Sequence, residues 1–171
     1  SELKRGGHLT DGVVCDDGGW KNAKPRILWL LKEPHYQEEG KNDLCAWLKT
    51  ISEVGFVSGW KYFKPTWLRV ARTTWALSSE APPKDGLGPD HHESLGHIAA
   101  INLVKTGGTE AADPKYLEAL AKRPEYWKRV LSEVDRIKPE LVVAGNILQW
   151  FPQESKVRLG AAKKNMNKAD E

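Results

Sequence analysis

Cysteine and long apolar runs are scarce in this chain. Its 171 residues include two cysteines, Cys15 and Cys45, which are too few for a disulfide scaffold. They also lack the CxxC spacing of a cysteine-ligated zinc site or an iron–sulfur cluster. No stretch approaches the roughly 18 apolar residues of a membrane span, and the opening SELKRGGH carries no apolar leader core. We therefore expect two reduced thiols and a soluble, cytoplasmic protein without a membrane partner.

Excess charge of one sign is also small. The 26 Lys and Arg residues against 23 Asp and Glu give a net charge of +3, which by itself does not indicate nucleic-acid binding. Residues 61–72, however, read KYFKPTWLRVAR, and this mixture of cations and aromatic rings suits phosphates and unstacked bases. The alternative is an amphipathic helix after Pro65, and both interpretations can hold for different faces. Its core-facing stripe would consist of Trp67, Leu68, Val70, Ala71 and Trp75.

The length and the apolar content predict one domain with a hydrophobic core. With 171 residues and 40% hydrophobic content, the chain fits a single domain that spans residues 1–171. Apolar runs predict three buried strands, at residues 26–31, 97–104 and 140–144. The first strand is almost continuously apolar, which is typical of a strand that is covered on both faces of its sheet.

Helical periodicity separates the predicted strands. Asp43 is a candidate N-cap for a helix that begins at residue 44 and ends near Gly55, and a second helix is predicted over residues 66–77. Residues 116–137 are also periodic, and Pro124 divides them into two helices. Three segments have no periodicity: an N-terminal loop or short edge at 1–24, a long loop at 78–94 and a basic tail at 156–171. Strands that alternate with helices predict a three-layer α/β/α sandwich with a short parallel sheet and a site at the carboxyl ends of its strands.

Each predicted strand ends in a short motif of polar residues or glycine. The first strand runs into Lys-Glu-Pro-His-Tyr at residues 32–36, and residues 102–106 read Asn-Leu-Val-Lys-Thr. The third strand reads Leu-Val-Val-Ala-Gly at residues 141–145. In this order the motifs resemble those of the uracil-DNA glycosylase superfamily. That family has a Gly-Gln-Asp-Pro-Tyr-His-like motif, an Asn-Thr-Val-Leu-Thr-like motif and a strand of the Val-Val-x-x-Gly kind. The resemblance covers residues 26–146.

The resemblance implies a uracil-DNA glycosylase-like fold and a monofunctional DNA glycosylase. Such an enzyme flips a uracil-like or modified pyrimidine out of DNA and hydrolyses its N-glycosidic bond. Glu33 would orient the attacking water and stabilise the sugar, which becomes positive in the transition state. Asn102 would read the polar edge of the base, because an amide both donates and accepts hydrogen bonds. The resemblance further implies a monomer that binds DNA and requires no metal and no organic cofactor.

Further site residues follow from the same resemblance. The pocket for the base would be formed by Lys32, Pro34, His35, Tyr36 and Trp47. The DNA backbone would be contacted by Lys61, Lys64, Arg69, Arg72, Lys105, Thr106 and Gly107. Structural alternatives stand beside these roles. Glu33 can be a turn carboxylate paired with Lys32 or Arg26, Asn102 can satisfy a strand-end turn, and Trp47 has the helical spacing of a core residue.

Two departures from the family pattern carry consequences. His35 and Tyr36 stand in the reverse of the family's order, which changes the ring beside the pyrimidine C5 position. A larger base would then fit, such as a hypermodified pyrimidine of phage DNA, and the protein would serve antiphage defence rather than repair. No histidine follows His97, so the family's His-Pro-Ser-like loop has no counterpart. Stabilisation of the anionic base would fall to one of Asn102, Lys32, Lys105, His91, His92 and His97.

The missing histidine loop leaves other classes of protein open. One alternative is a catalytically inactive relative that binds DNA or a protein, and a weaker one is an enzyme that acts on a nucleotide or nucleoside. The His-His-Glu sequence of residues 91–93 invites a metal site, but adjacent histidines do not share a helix face, and a solvated loop is expected there. Salt-dependent affinity for DNA separates a glycosylase or a DNA-binding relative from a small-molecule enzyme, and base release identifies the glycosylase.

Overall fold

The chain folds as alternating strands and helices. The computed structural model describes residues 11–16, 18–32, 43–56, 64–79, 91–104, 114–145 and 147–152. The strands in these ranges are β1 (Gly12–Val13), β2 (Ile27–Leu31), β3 (Ile98–Asn102) and β4 (Leu141–Ala144). The α-helices are α1 (Gly19–Asn22), α2 (Leu44–Val54), α3 (Lys64–Ser78), α4 (Pro114–Ala121) and α5 (Pro124–Ile137). Two 3-10 helices are also present in them, His92–His97 and Leu148–Trp150.

The described strands form one mostly parallel sheet of order β1-β3-β2-β4. β2 lies between β3 and β4 and runs parallel to both, which confirms a mixed α/β fold around a short parallel sheet. β1 is an antiparallel edge strand, paired through Gly12 with Ala100 and through Val13 with Ala99. The N-terminal segment was predicted as a loop or short edge, and the short edge is confirmed in its described part, which also contains α1. Val14 and Trp20 are buried there, so this segment belongs to the core.

Helices cover both faces of the sheet. Along β2, Ile27 and Trp29 face α2 and α3, whereas Leu28 and Leu30 face α5. Successive residues of a strand point to opposite faces, so a strand that is covered on both sides must be apolar at every position. The prediction of a doubly covered strand from the apolar run is therefore confirmed. Burial on two sides also fixes the register of β2, because a one-residue slip would move each side chain into the opposite layer.

Local signals set most of the helix ends. Asp43 caps α2, since its Oδ1 accepts a hydrogen bond from the Ala46 N–H at 2.9 Å, and α4 and α5 are separate helices divided before Pro124. α3 begins at Lys64 rather than at the predicted residue 66, because proline is well tolerated in the first turn of a helix. The end of the predicted loop 78–94 is instead the start of a 3-10 helix in which Ser94 and Leu95 are buried.

The structure bears on the expected state of the cysteines and on the presence of membrane-spanning helices. Cys15 and Cys45 are both thiols, as the sequence predicted. None of the helices within the described ranges combines the length and the apolarity needed to cross a membrane.

A buried hydrogen bond ties the central strand to α3 and provides a test of the packing. Trp29 Nε1 donates to Thr74 Oγ1 at 3.0 Å, and both side chains are buried. We expect Trp29→Phe to lower the free energy of unfolding by about 1–3 kcal/mol, because it removes the donor together with part of a packed ring. Urea denaturation measures this loss. The matched control is Thr74→Val: the double variant should lose less than the sum of the two single losses, and strict additivity would contradict the pairing.

Candidate functional site

The carboxyl ends of β2 and β3 lie side by side. Leu31 of β2 is in register with Asn102 of β3, although 71 positions separate them in the sequence. Beyond the strands, the Leu103 N–H donates to the Leu31 carbonyl at 2.8 Å and the Val104 N–H to the Lys32 carbonyl at 2.9 Å. The ends of the first two predicted motif strands therefore meet at one edge of the sheet. The third is beside them, because the N–H of residue 145 donates to the carbonyl of residue 30 at 2.8 Å.

The helices that come after these two strands in the chain pack on opposite faces of the sheet. β2 is followed by α2 and α3, which pack on one face, and β3 is followed by α4 and α5 on the other. Neighbouring parallel strands whose connections diverge in this way create a crevice between their carboxyl ends, and ligands of open α/β sheets bind in such crevices. The predicted position of the site, at the strand ends, thus coincides with the topological switch point of the fold.

The first turns of three helices point towards the same edge. The last turn of α2 packs on the 3-10 helix that precedes β3, where a Cβ atom on Gly55 would lie 3.5 Å from His92. Near the end of α3, Trp75 stacks on His91 with 4.0 Å between the ring centroids. α5 leads into β4, and Tyr126 in its first turn contacts the end of β3. All three helices run back along the strands, so their positive dipole ends favour an anion at the carboxyl edge.

Asn102 is a buried polar residue at the centre of this edge. Its exposed fraction is 2%, and it is the last residue of β3. Ile98 and Ala100 of the same strand pack in the α2 and α3 layer, so strand alternation directs the Asn102 side chain towards that layer. A buried amide needs partners for its donor and acceptor atoms, which makes Asn102 a costly residue to retain for packing alone.

Trp47 lies on the same side of the sheet as Asn102. It belongs to the first half of α2, is half-buried, and meets Trp67 of α3 edge to face with 5.8 Å between ring centroids and 73° between the planes. The ring packs against the core cluster, as its helical spacing indicates. Its position in α2 also brings it towards the carboxyl edge of the sheet. Trp47 therefore lies where the core borders the proposed pocket, and the two interpretations are compatible.

Lys32 occupies the other side of the strand ends. Its Nζ atom lies over the ring of Trp150, 5.1 Å from the centroid, and Trp150 packs with the α5 side of the core. A cation over an indole face is a favourable contact, and it holds the ammonium group at the edge of the sheet. The sequence pointed to Lys32 but not to Trp150, because nothing in a Leu-Gln-Trp segment signals a contact with a residue more than a hundred positions away.

Asp11 is the second site residue that sequence reasoning missed. Its Oδ2 atom accepts a hydrogen bond from the Asn102 N–H at 2.7 Å, across 91 positions of the chain. From the opposite side, the Tyr126 hydroxyl donates to the Leu103 carbonyl at 2.5 Å. Burial is the main cause that raises the pKa of Tyr126 far above its usual range, so this hydroxyl remains a donor. A carboxylate and a phenol therefore hold the end of β3 in place.

The three histidines considered for stabilising the anionic base lie at the wrong end of the sheet. His91, His92 and His97 precede β3, whereas Asn102 ends it, and a strand of five residues spans roughly 16 Å. His91 and His92 place their Nδ1 atoms 3.6 and 3.7 Å from the Glu93 carboxylate, and His97 Nδ1 lies 3.2 Å from the Gly19 carbonyl. Chain order alone places these three histidines before β3 and so at its amino end, which does not fit a site at the carboxyl ends of the strands.

The same amino-end segment was predicted as a solvated loop. It is a 3-10 helix with one aromatic stack and two close histidine–carboxylate pairs. Across the described ranges, no group of three His, Cys, Asp or Glu side chains is arranged to hold a metal ion.

The predicted DNA contacts are only partly described. In α3, the apolar stripe is buried at Trp67, Val70 and Ala71, which confirms the amphipathic interpretation, while Arg69 is exposed and Arg72 half-buried. Lys64 is the first residue of α3, at the end that points towards the carboxyl edge. The remaining predicted site residues lie outside the described residues: Glu33, Pro34, His35, Tyr36, Lys61, Lys105, Thr106 and Gly107.

Comparisons with protein-family models, with curated proteins and with solved structures return no match to this chain. Its function must therefore be argued from the chemistry of its own residues.

Proposed function

We propose that the protein is a uracil-DNA glycosylase-like enzyme that flips a uracil-like or modified pyrimidine out of DNA and hydrolyses its N-glycosidic bond. One observation carries the proposal: the ends of the two strands whose motifs resemble that family are adjacent, with Leu31 and Asn102 in register. A motif resemblance at distant positions of a sequence gains weight when the fold brings those positions together, because the proposed reaction needs both at one base.

The residues at this edge suit the charges that such a reaction develops. The sugar becomes positive and the departing base negative as the bond breaks. Glu33, the residue after Lys32, is proposed to orient water and to stabilise the sugar, and Asn102 to hold the polar edge of the base. Stabilisation of the base anion falls to Asn102 and to the positive ends of the surrounding helices, with Lys32 and Lys105 as the nearby cations in sequence.

The test is base release from a panel of DNA duplexes and single strands. Each carries one uracil, hydroxymethylcytosine or glucosylated hydroxymethylcytosine, and alkaline cleavage at the abasic site reports release. The proposal expects strand breaks at one of these bases that are absent with Glu33→Gln. Salt-dependent DNA binding without release on every substrate would instead support the inactive DNA-binding relative. If the protein neither releases a base nor binds DNA, the proposal of a role on DNA is overturned.

The exposed face of α3 supplies a separate prediction about DNA binding. Arg69 is exposed on the helix whose first turn points towards the proposed site. We expect Arg69→Gln to weaken binding by a similar factor for all sequences, and to reduce the slope of log K against log salt by about 0.9, the value for one lost phosphate contact. Fluorescence anisotropy at several salt concentrations measures both.

Lys128→Gln is the matched control for Arg69→Gln. Lys128 is also an exposed cation, but it lies on α5, in the opposite layer. An equal reduction of the salt slope in both variants would mean that the protein attracts DNA by its overall charge and not through α3.

A further inference from the structure

The backbone on both sides of the Asn102 Cα atom is fixed by hydrogen bonds. The Asn102 N–H donates to Asp11 Oδ2 at 2.7 Å, and the next N–H, that of Leu103, donates to the Leu31 carbonyl at 2.8 Å. One residue further, the Leu103 carbonyl accepts the Tyr126 hydroxyl. Two peptide planes meet at the Cα atom, and anchoring both sets the φ and ψ angles of Asn102. The direction in which its side chain leaves the strand is set with them.

The Asp11 side chain provides the hydrogen-bond acceptor that a neighbouring strand provides elsewhere in a sheet. Gly12 pairs with Ala100 and Val13 with Ala99, so the Asn102 N–H lies beyond these two pairs. The Asp11 carboxylate accepts this N–H in place of a strand carbonyl. A hydrogen bond to an ionised acceptor is shorter and roughly twice as strong as one between neutral groups. The end of β3 is therefore held more firmly than a short antiparallel edge would hold it.

We propose that Asp11 is a positioning residue for Asn102. Its carboxylate, together with the Leu31 carbonyl that accepts the Leu103 N–H, holds the backbone of Asn102 so that the buried amide meets the base in one orientation. This inference rests on the proposed function. Its physical ground is that a hydrogen-bonding group must be placed closely to discriminate between bases, and a misplacement of about 1 Å can cost on the order of a hundredfold in rate.

The first arm of the test measures single-turnover base release well below the melting temperature of every variant. Asp11→Ala should lower the rate by between about tenfold and a hundredfold while leaving DNA affinity unchanged. Asp11→Asn keeps an acceptor but loses the charge, so it should fall between Asp11→Ala and the wild type. Asp16→Asn is the matched control, an exposed aspartate of the same N-terminal segment, and should release base at the wild-type rate. A wild-type rate for Asp11→Ala would overturn the proposal.

A double-mutant cycle distinguishes positioning from general destabilisation. If Asp11 acts through Asn102, adding Asp11→Ala to an Asn102→Ala background should cause no further loss of base release. Tyr126→Phe removes the hydrogen bond to the Leu103 carbonyl, one residue beyond Asn102, and should show the same dependence on Asn102. Independent, multiplicative losses would mean that Asp11 serves the fold or the substrate directly, and would overturn the positioning role.

The second arm does not depend on activity. In amide NMR spectra of the wild type, the Asn102 N–H should shift with pH as the Asp11 carboxylate titrates, and this shift should vanish in Asp11→Asn. Base release without this pH-dependent shift would support the glycosylase but overturn the positioning role of Asp11. If the Asn102 N–H shifts with pH but the protein releases no base from any substrate, the contact with Asp11 is supported and the proposed function is overturned.

Discussion

Replacing Glu33 by glutamine is expected to abolish base release while DNA affinity stays within about twofold of the wild type. Glutamine has nearly the same shape as glutamate but cannot accept a proton from water or offset a positive sugar, and such groups contribute roughly 10²–10⁴-fold to a rate. Affinity should persist because binding depends mainly on phosphate contacts. The measurement pairs a single-turnover cleavage assay with anisotropy binding on the same oligonucleotide.

Glu38→Gln is the control for this experiment, because it removes a second carboxylate from the same stretch of sequence without touching the motif. It should leave both rate and affinity near their wild-type values. If Glu33→Gln lowers affinity and rate together, then Glu33 is a structural carboxylate paired with a neighbouring cation. In that case the hydrolytic role would have to pass to another group.

The sequence predicted the core of this fold because both faces of the central strand are buried. Burial on two sides demands an unbroken apolar run, and residues 27–31 provide one between turn signals. The cap at Asp43 and the division of the helices at Pro124 were equally predictable, since each depends on atoms within a few residues. Such features depend on contacts between residues that are close in the sequence, so a pattern in the sequence can reveal them.

The partners of the site residues were not predictable on the same basis. Asp11 reaches the Asn102 N–H over 91 positions, and Trp150 meets Lys32 over 118 positions, with seven helices and strands between them in the described ranges. Asp11 comes directly before β1, and that strand of two residues is too short for any alternation to appear. The histidines are a different case, because their position before β3 in the sequence already puts them at its amino end, away from the predicted site. The contacts of Asp11 and Trp150 are set by tertiary packing and not by local propensity.

Asn102→Asp should add to the stability of the protein a pH dependence that the wild type lacks. The new carboxyl would lie at a position that is 2% exposed, close to the Asp11 carboxylate that accepts the Asn102 N–H at 2.7 Å. Burial and the like charge both raise its pKa in the folded state above the unfolded value. The loss of stability relative to wild type should therefore be small in acid and grow as pH rises between those two values, reaching about 3 kcal/mol at pH 8.

Thermal unfolding of Asn102→Asp, Asn102→Ala and the wild type at pH 5 and pH 8 tests this, with the alanine variant as the reference for a loss that does not titrate. If Asn102→Asp loses the same stability relative to the wild type at both pH values, then position 102 is solvated or faces a cation. The argument that Asn102 is a buried amide would then fail. The substrate panel adds the functional half. Aspartate lacks the amide donor and brings a charge, so base release should disappear or shift to another base. A folded Asn102→Asp protein with an unchanged substrate profile would remove Asn102 from the pocket.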